Sequence, residues 1–178
     1  MRTRYLEYTP DEFDLHEVRR RERGLEDEPD IDALSPEHVR YIIVHCTASR
    51  CTTDYSPEMI IADHRRRGFA AGGYHFLVRR NGRIVQFRRT DEKGAHCMGH
   101  NSNSFGLAYE GGLDQEGNPD DTLSPAQLYS MRAVIRRLAD AYPNLVVRGH
   151  RDFDPKKACP CFDAKQRFCQ CTNEPDFV

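Results

Sequence analysis

The side chains with the clearest chemical potential in this chain are a histidine and a cysteine near its carboxyl end. His150 and Cys159 lie nine positions apart, across a loop that contains Pro155. Imidazole and thiolate are good ligands for a borderline-soft ion such as zinc, but two ligands do not hold a metal. His45, which follows the apolar run 41–44, is the best candidate for a third ligand. Such a set leaves one position open for water, as in catalytic zinc sites.

The spacing of these residues leaves other interpretations open. Ligands that are far apart in sequence have no regular signature, so His150 also fits a surface loop and Cys159 a buried thiol. A second hypothesis is a zinc knuckle built from the two C-x-C pairs between Cys159 and Cys171, although C-x2-C pairs are more common in such modules. A disulfide framework is disfavoured, because seven cysteines is an odd number and no export signal precedes them.

The elements that precede the two histidines indicate how they come together. Residues 41–45 have the pattern of a short buried strand, and residues 145–148 form another that delivers His150 at its end. If the two strands are parallel neighbours, both imidazoles emerge at the same sheet edge. Open α/β sheets bind ligands at that edge.

The remaining patterns predict the architecture. Ser56-Pro57 and Ser124-Pro125 each mark the beginning of a helix, and Gly68 ends the first one. Asn81-Gly82 predicts a hairpin turn between two strands. Strands interleaved with helices, plus one hairpin, indicate an α/β protein: a single domain with a mixed β-sheet flanked by helices.

Composition and charge exclude several function classes. The chain has 38% apolar residues, 30% charged residues and a net charge of −2, so no basic field attracts it to nucleic acid or anionic lipid. No apolar run approaches the roughly 20 residues of a membrane span, and the first residues lack the apolar segment of a secretory signal. We therefore expect a cytoplasmic monomer without a nucleic-acid or membrane partner.

Several motifs occur together along the chain: Ile43–Ala48, Gly73–Phe76, Gly94–His96, Asn101–Gly106, Gly111-Gly112, Ser124–Gln127, Lys157–Pro160 and Phe162-Asp163. With these motifs in this order, the chain resembles the zinc-dependent N-acetylmuramoyl-L-alanine amidases of the phage T7 lysozyme type, which are relatives of the peptidoglycan recognition proteins. The resemblance covers about residues 40–165. It implies an amidase/PGRP-like fold and hydrolysis of the amide between N-acetylmuramic acid and L-alanine in peptidoglycan.

The resemblance also implies the site residues. The metal ligands for Zn2+ match His45, His150 and Cys159, and the catalytic residues match Tyr74 and Lys157. Zinc activates water near neutral pH, and the Lys157 ammonium is suited to stabilise an oxyanion. The Tyr74 hydroxyl is suited to orient that water or to donate a hydrogen bond.

Some assignments stay open at this point. The loop between His150 and Cys159 is one residue longer than in the phage protein, so Lys156 is an alternative to Lys157, which keeps its offset from the cysteine. His96 either contacts substrate or makes a structural hydrogen bond. We expect His64 on the surface. Glu110 is either a polar contact that faces the cell wall or a solvated strand end, and we favour the strand end.

The resemblance leads to a division of the chain and to a biological role. Residues 1–38 are expected to be a charged amino-terminal arm, helical or disordered and loosely packed, residues 39–168 the amidase domain, and residues 169–178 a Cys-containing tail. The expected role is that of a phage or prophage endolysin that stays in the cytoplasm until release and then acts on the cell wall. The alternative is a non-catalytic peptidoglycan-binding module, but recognition proteins of that kind typically lose the cysteine ligand, which is present here as Cys159.

Overall fold

A computed structural model describes residues 4–21, 34, 37–69 and 71–172, and these form a layered arrangement of strands and helices. The strands are β1 (Leu6–Tyr8), β2 (Tyr41–Cys46), β3 (Ser49–Arg50), β4 (Phe76–Val78), β5 (Ile84–Gln86), β6 (Ser104–Tyr109), β7 (Gly112–Leu113) and β8 (Val146–Gly149). The helices are α1 (Leu15–Arg21), α2 (Pro57–Arg66), α3 (Pro125–Ala141) and α4 (Ala164–Phe168).

The main sheet has the strand order β1-β5-β4-β6-β2-β8 in the described part of the chain. Strands β4, β6, β2 and β8 are parallel, whereas β5 and β1 run antiparallel to their neighbours. Strands β3 and β7 form a separate parallel pair. The central strands β2 and β6 are buried on both faces, as is typical of parallel strands covered by helices. The predicted mixed sheet flanked by helices is confirmed.

Local signals in the sequence explain where the two longer helices begin. The Ser56 hydroxyl accepts a hydrogen bond from the Met59 amide, and proline occupies the first turn of α2. At α3, Ser124 and Gln127 form a reciprocal capping box, which satisfies amides that a helix leaves unpaired at its start. Both predicted helix starts are confirmed, and Gly68 follows α2 with a left-handed φ of 88°.

The strands bury two apolar clusters, one on each face of the sheet. Alternation along β4 sends Phe76 and Val78 to one cluster and Leu77 to the other. Helix α3 covers the first face with Met131, Val134, Ile135 and Leu138, all fully buried. Helix α2 covers the opposite face with Ile60 and Ile61. His45 lies on the α2 side, because it alternates with Val44 and Cys46 of the α3 side.

The amino-terminal arm is more tightly packed than its composition indicates. Strand β1 pairs with β5, and the Tyr8 hydroxyl donates a 2.9 Å hydrogen bond to Gln86. Phe13 is fully buried, with its ring edge-on to Tyr8 and Phe76 at centroid distances of 5.7 and 5.3 Å. For residues 4–21 the structure therefore differs from the expected loose arm. Residues 22–33 and 35–36 lie outside the described residues, and the division at residue 38 stays a prediction.

The carboxyl-terminal cysteines do not assemble into a knuckle. Cys171 is buried against the core whereas Cys169 is exposed, and all seven cysteines are free thiols. The final six positions, 173–178, are outside the described part of the chain. Over the described residues, no helix combines the length and the apolar character that crossing a bilayer requires.

Candidate metal centre and active site

His45, His150 and Cys159 converge on one point at the carboxyl edge of the main sheet. Each residue offers one ligand atom, and these three atoms lie within 4.8 Å of one another. The register of the parallel strands explains the meeting, since Val44 of β2 is paired with Gly149 of β8 and a histidine follows each of them. Among the described residues, this is the one group of three histidine, cysteine or acidic side chains with metal-binding geometry.

The donor atoms fit a tetrahedral metal ion. Cys159 Sγ lies 3.8 Å from His45 Nδ1, close to the edge of about 3.6 Å that zinc bond lengths of about 2.3 and 2.1 Å give in a tetrahedron. The Cys46 amide donates to Cys159 Sγ at 3.2 Å, and the Arg151 amide donates to the Cys159 carbonyl at 2.9 Å. These two hydrogen bonds hold the loop that carries Cys159 against the ends of β2 and β8.

The electrostatic environment keeps both imidazoles in the form that binds metal. Burial, followed by the influence of His150 and His64, lowers the pKa of His45 well below its ordinary value. The pKa of His150 is also lowered, first by burial and then by the charge of Lys157. A neutral imidazole has a free lone pair, and metal binding need not displace a proton from it.

Tyr74 lies beside the candidate metal-binding group, which consists of His45, His150 and Cys159 and is called the metal-binding group below. Its ring centroid is 5.2 Å from that of His45 and 5.2 Å from that of His64. Burial, then the nearby Cys159 and Cys46, raises the pKa of the Tyr74 hydroxyl above its ordinary value. The hydroxyl is therefore protonated at neutral pH and able to donate a hydrogen bond.

The two candidate lysines occupy the exposed loop before Cys159. The Lys157 amide donates to the Asp154 carbonyl at 2.9 Å, and the Lys156 amide donates to the Asp154 side chain at 3.1 Å. Lys157 is the lysine whose positive charge lowers the pKa of His150.

His96 lies on the side of His45 away from Cys159. His96 Nδ1 is 3.0 Å from His45 Nε2, and its ring stacks edge-on against that of His45. Burial first, and then His45 and His75, lowers the pKa of His96 well below its ordinary value. The hydrogen-bonding alternative for His96 is thus visible in the structure, while the substrate contact stays a prediction.

The expected surface position of His64 is wrong. Only 7% of this residue is exposed, and its Nδ1 accepts a 2.7 Å hydrogen bond from the Gly73 amide. Burial lowers the pKa of His64 to about 4. His75 is fully buried, accepts from the Gly106 amide and has its pKa lowered to about 3, chiefly by burial. The burial of His64 carries no signal in the sequence of its own helix, because it depends on the later segment that contains Gly73.

Two further thiols lie close to the metal-binding group without joining it. Cys46 Sγ and Cys161 Sγ are 3.9 Å apart, and the Cys161 thiol contacts the Gly112 carbonyl at 3.2 Å. The hydrogen bond to Cys159 and burial raise the pKa of Cys46 to about 12. The pKa of Cys161 is raised too, first by Cys46 and then by burial. Both thiols are therefore protonated at neutral pH.

Glu110 anchors a separate charged cluster at the same sheet edge. Its carboxylate is 1% exposed and accepts from Arg79 Nε at 2.9 Å, from the Arg80 amide at 3.0 Å and from the Tyr55 amide at 2.8 Å. Arg79 also pairs with Asp54. The expectation of a solvated strand end is wrong, because the loop before α2 folds over Glu110. Glu110, Arg79, Arg80 and Asp54 line a cavity of about 320 Å3.

Comparison with solved structures places the fold. The N-acetylmuramoyl-L-alanine amidase LysC from Clostridium intestinale matches with a TM-score of 0.65 and 27% identity, over 82% of this chain and 93% of that one. Bumblebee PGRP-SA matches with a TM-score of 0.65 and 23% identity, over 86% of this chain and 91% of that one. The predicted amidase/PGRP-like fold is confirmed.

Sequence comparison gives the family. The profile of the N-acetylmuramoyl-L-alanine amidase family matches residues 35–162. The endolysin of Klebsiella phage KP32 is 39% identical over 125 residues, which are 70% of this chain and 82% of that protein. The chain belongs to the N-acetylmuramoyl-L-alanine amidase family. The predicted enzyme class, a peptidoglycan amidase, is confirmed with it.

Proposed function

We propose that this amidase depends on zinc, which His45, His150 and Cys159 hold. The observation that carries the proposal is the convergence of these three side chains from distant parts of the chain, with ligand atoms within 4.8 Å of one another. Two neutral imidazoles and one thiolate suit zinc, and three protein ligands leave one coordination position free for chemistry.

We assign the catalytic roles to Tyr74 and Lys157. Bound zinc supplies Lewis acidity, which activates water near neutral pH and polarises an amide carbonyl. The Lys157 ammonium, whose charge already acts on His150, stabilises negative charge that develops on the carbonyl oxygen. The protonated Tyr74 hydroxyl, beside His45, donates a hydrogen bond that orients the reacting groups. The effect of the Lys157 charge on His150 favours Lys157 over Lys156.

The proposed substrate is the lactyl–L-alanine amide of a muropeptide, and the proposed role is that of an endolysin. Relatives called endolysins share 36–39% identity with this chain, including that of Escherichia phage T7 at 36% over 82% of its length. In this role the enzyme is made in the cytoplasm, gains access to the cell wall after the membrane is opened, and acts there as a monomer.

Hydrolysis of a purified muropeptide tests the proposal. We expect the lactyl-linked sugar and the intact peptide as products when zinc is present, and no products after chelation or for Cys159→Ser. Cys169→Ser is the matched control, because Cys169 is exposed outside the metal-binding group, and this variant should hydrolyse at the wild-type rate. Cleavage between sugars or within the peptide, or full activity of Cys159→Ser, would contradict the assignment.

A further inference from the structure

The chain builds a close-fitting slot for the imidazole of His96. A β-carbon on Gly94 would come within 2.4 Å of the His96 ring, and one on Gly106 within 2.6 Å. The backbone of His96 is held as well, because the Asn101 side-chain oxygen accepts from its amide at 2.8 Å. Two glycines and one side-chain hydrogen bond thus fix a ring that lies outside the group of candidate metal ligands, so another role has to explain its fixed position.

The hydrogen bonds around His96 have a defined direction. The Ser104 hydroxyl donates to the His100 carbonyl at 2.6 Å, since a carbonyl only accepts. Ser104 Oγ, 3.4 Å from His96 Nε2, is then left to accept a hydrogen bond from that nitrogen. A neutral imidazole carries one proton, so His96 Nδ1 is an acceptor.

The direction continues into the metal-binding group. His45 Nε2, 3.0 Å from the accepting His96 Nδ1, must be the donor. His45 Nδ1 therefore carries no proton, and it is this nitrogen that lies 3.8 Å from Cys159 Sγ. This series of hydrogen bonds begins at the His100 carbonyl, which can only accept. It ends at the Nδ1 lone pair of His45, which is the form that binds a metal.

We propose that His96 is a positioning residue that, with Ser104, fixes the tautomer of His45 so that its Nδ1 lone pair faces the metal. This inference rests on the proposed metal ligands. In the other tautomer a proton occupies Nδ1 and must be displaced before the metal binds. Partners of metal-binding histidines typically contribute about 10- to 100-fold to metal affinity.

Zinc affinity, measured by competition with a chromophoric chelator at pH 7.5, tests the proposal. His96→Phe removes the acceptor for His45 Nε2 and should weaken zinc binding about 10- to 100-fold. His96→Asn offers its side-chain oxygen near the position of Nδ1 and should bind zinc more tightly than His96→Phe. His16→Asn, a change at an exposed histidine of α1, is the control and should match the wild type.

A second readout separates positioning from mere packing. In zinc-free wild-type protein, 15N NMR should show His45 with a protonated Nε2 and a bare Nδ1. Ser104→Ala touches neither His45 nor the metal, yet it frees His96 to reverse. It should therefore increase the population of His45 with a proton on Nδ1, together with a several-fold loss of zinc affinity.

The outcomes distinguish this inference from the function on which it rests. If wild-type protein binds no zinc, or if Cys159→Ser binds it equally well, the ligand assignment is wrong. If the wild type binds one zinc while Ser104→Ala keeps the same His45 tautomer and affinity, the positioning role alone is wrong. Should His96→Phe fail to fold in a thermal melt, His96→Asn and Ser104→Ala still decide the matter.

Discussion

Two buried polar clusters share the carboxyl edge of the main sheet, and they handle charge in opposite ways. At the ends of β2 and β8, the metal-binding group consists of imidazoles and a thiol, and burial lowers the pKa of both histidines. At the ends of β4 and β6, Glu110 is buried as a carboxylate against Arg79. The two histidines of the metal-binding group are therefore neutral at neutral pH, whereas the charge of Glu110 is balanced by that of Arg79.

The contrast explains why one cluster is suited to bind a cation and the other is not. Neutral imidazoles have free lone pairs, and Cys159 becomes a thiolate ligand once it releases its proton, so these three residues offer donors that suit a cation. The Glu110 carboxylate already accepts from one side chain and two amides, from Arg79, Arg80 and Tyr55. It therefore serves as a brace that holds the loop before α2 against the sheet.

The largest expected effect concerns the charge placed at the rim of the metal-binding group. Lys157→Ala should lower kcat for muropeptide hydrolysis by about 10²- to 10³-fold, the usual loss for one group that stabilises an oxyanion. Zinc content should stay at one per chain, because Lys157 is not a ligand. Lys156→Ala is the matched control, and a larger loss for that variant would transfer the role to Lys156.

Substitution of Glu110 should lower the stability of the fold without changing zinc binding. Glu110→Gln leaves Arg79 with Asp54 as its acidic partner and should lower the free energy of unfolding by about 2–3 kcal/mol in urea titrations. Its zinc affinity should equal that of the wild type. Glu116→Gln, in an exposed loop, is the control and should be neutral. A loss of zinc binding by Glu110→Gln would show that the two clusters are coupled.

Acid should lower the stability of the folded protein, because His64 is buried in its neutral form. The pKa of His64 is about 4 in the folded protein and about 6.5 in an unfolded chain. Between these two pKa values, His64 binds more protons in the unfolded chain than in the folded protein. The contribution of neutral His64 to the free energy of unfolding is therefore complete above pH 6.5 and decreases as the pH falls. When the pH falls from 7.5 to 5, protonation of His64 in the unfolded chain should lower the free energy of unfolding by about 2 kcal/mol.

Urea unfolding in the presence of chelator, at both pH values, measures this effect without interference from metal. The loss of stability between pH 7.5 and 5 should be smaller in His64→Gln than in the wild type, because glutamine does not titrate. An equal loss in the two proteins would mean that His64 is accessible to protons in the folded state.

The smallest effect is expected at the thiol beside the metal-binding group. Cys161→Ser keeps a donor for the Gly112 carbonyl and should change the unfolding free energy by less than about 1 kcal/mol. Zinc stoichiometry should stay at one per chain. A lower zinc affinity in this variant would show that Cys161 acts as a ligand, against the raised pKa of its thiol.

The parts of the fold that the sequence predicted are those with local signals. Ser-Pro pairs begin α2 and α3, and Asn81-Gly82 forms the predicted turn between β4 and β5. The approach of His45 to His150 followed from one assumption, that β2 and β8 are parallel neighbours, and the register confirms it. Residue types and strand ends indicated His45, His150 and Cys159 as candidate ligands, but spacing alone left a surface histidine and a buried thiol as alternatives. The family resemblance favoured the ligand set over these alternatives.

The errors have a common physical cause. His64 and Glu110 are polar residues at positions where a helix or a strand end is commonly solvated. Glu110 is covered by the loop before α2 and by Arg79, and His64 by the segment that carries Gly73 and Tyr74. Phe13 and Val18 belong to a stretch too charged to indicate a core element, yet both are fully buried. Each of these contacts depends on where another segment passes, which local composition does not encode.

Strand β1 has a consequence for how the protein is best shortened. It covers the outer side of β5 with a ladder that spans Leu6–Tyr8. A protein trimmed to the family-matched segment, residues 35–162, would leave the amides and carbonyls of β5 open to pairing with another molecule. Self-association, and not loss of the catalytic groups, is therefore the expected first defect of such a fragment.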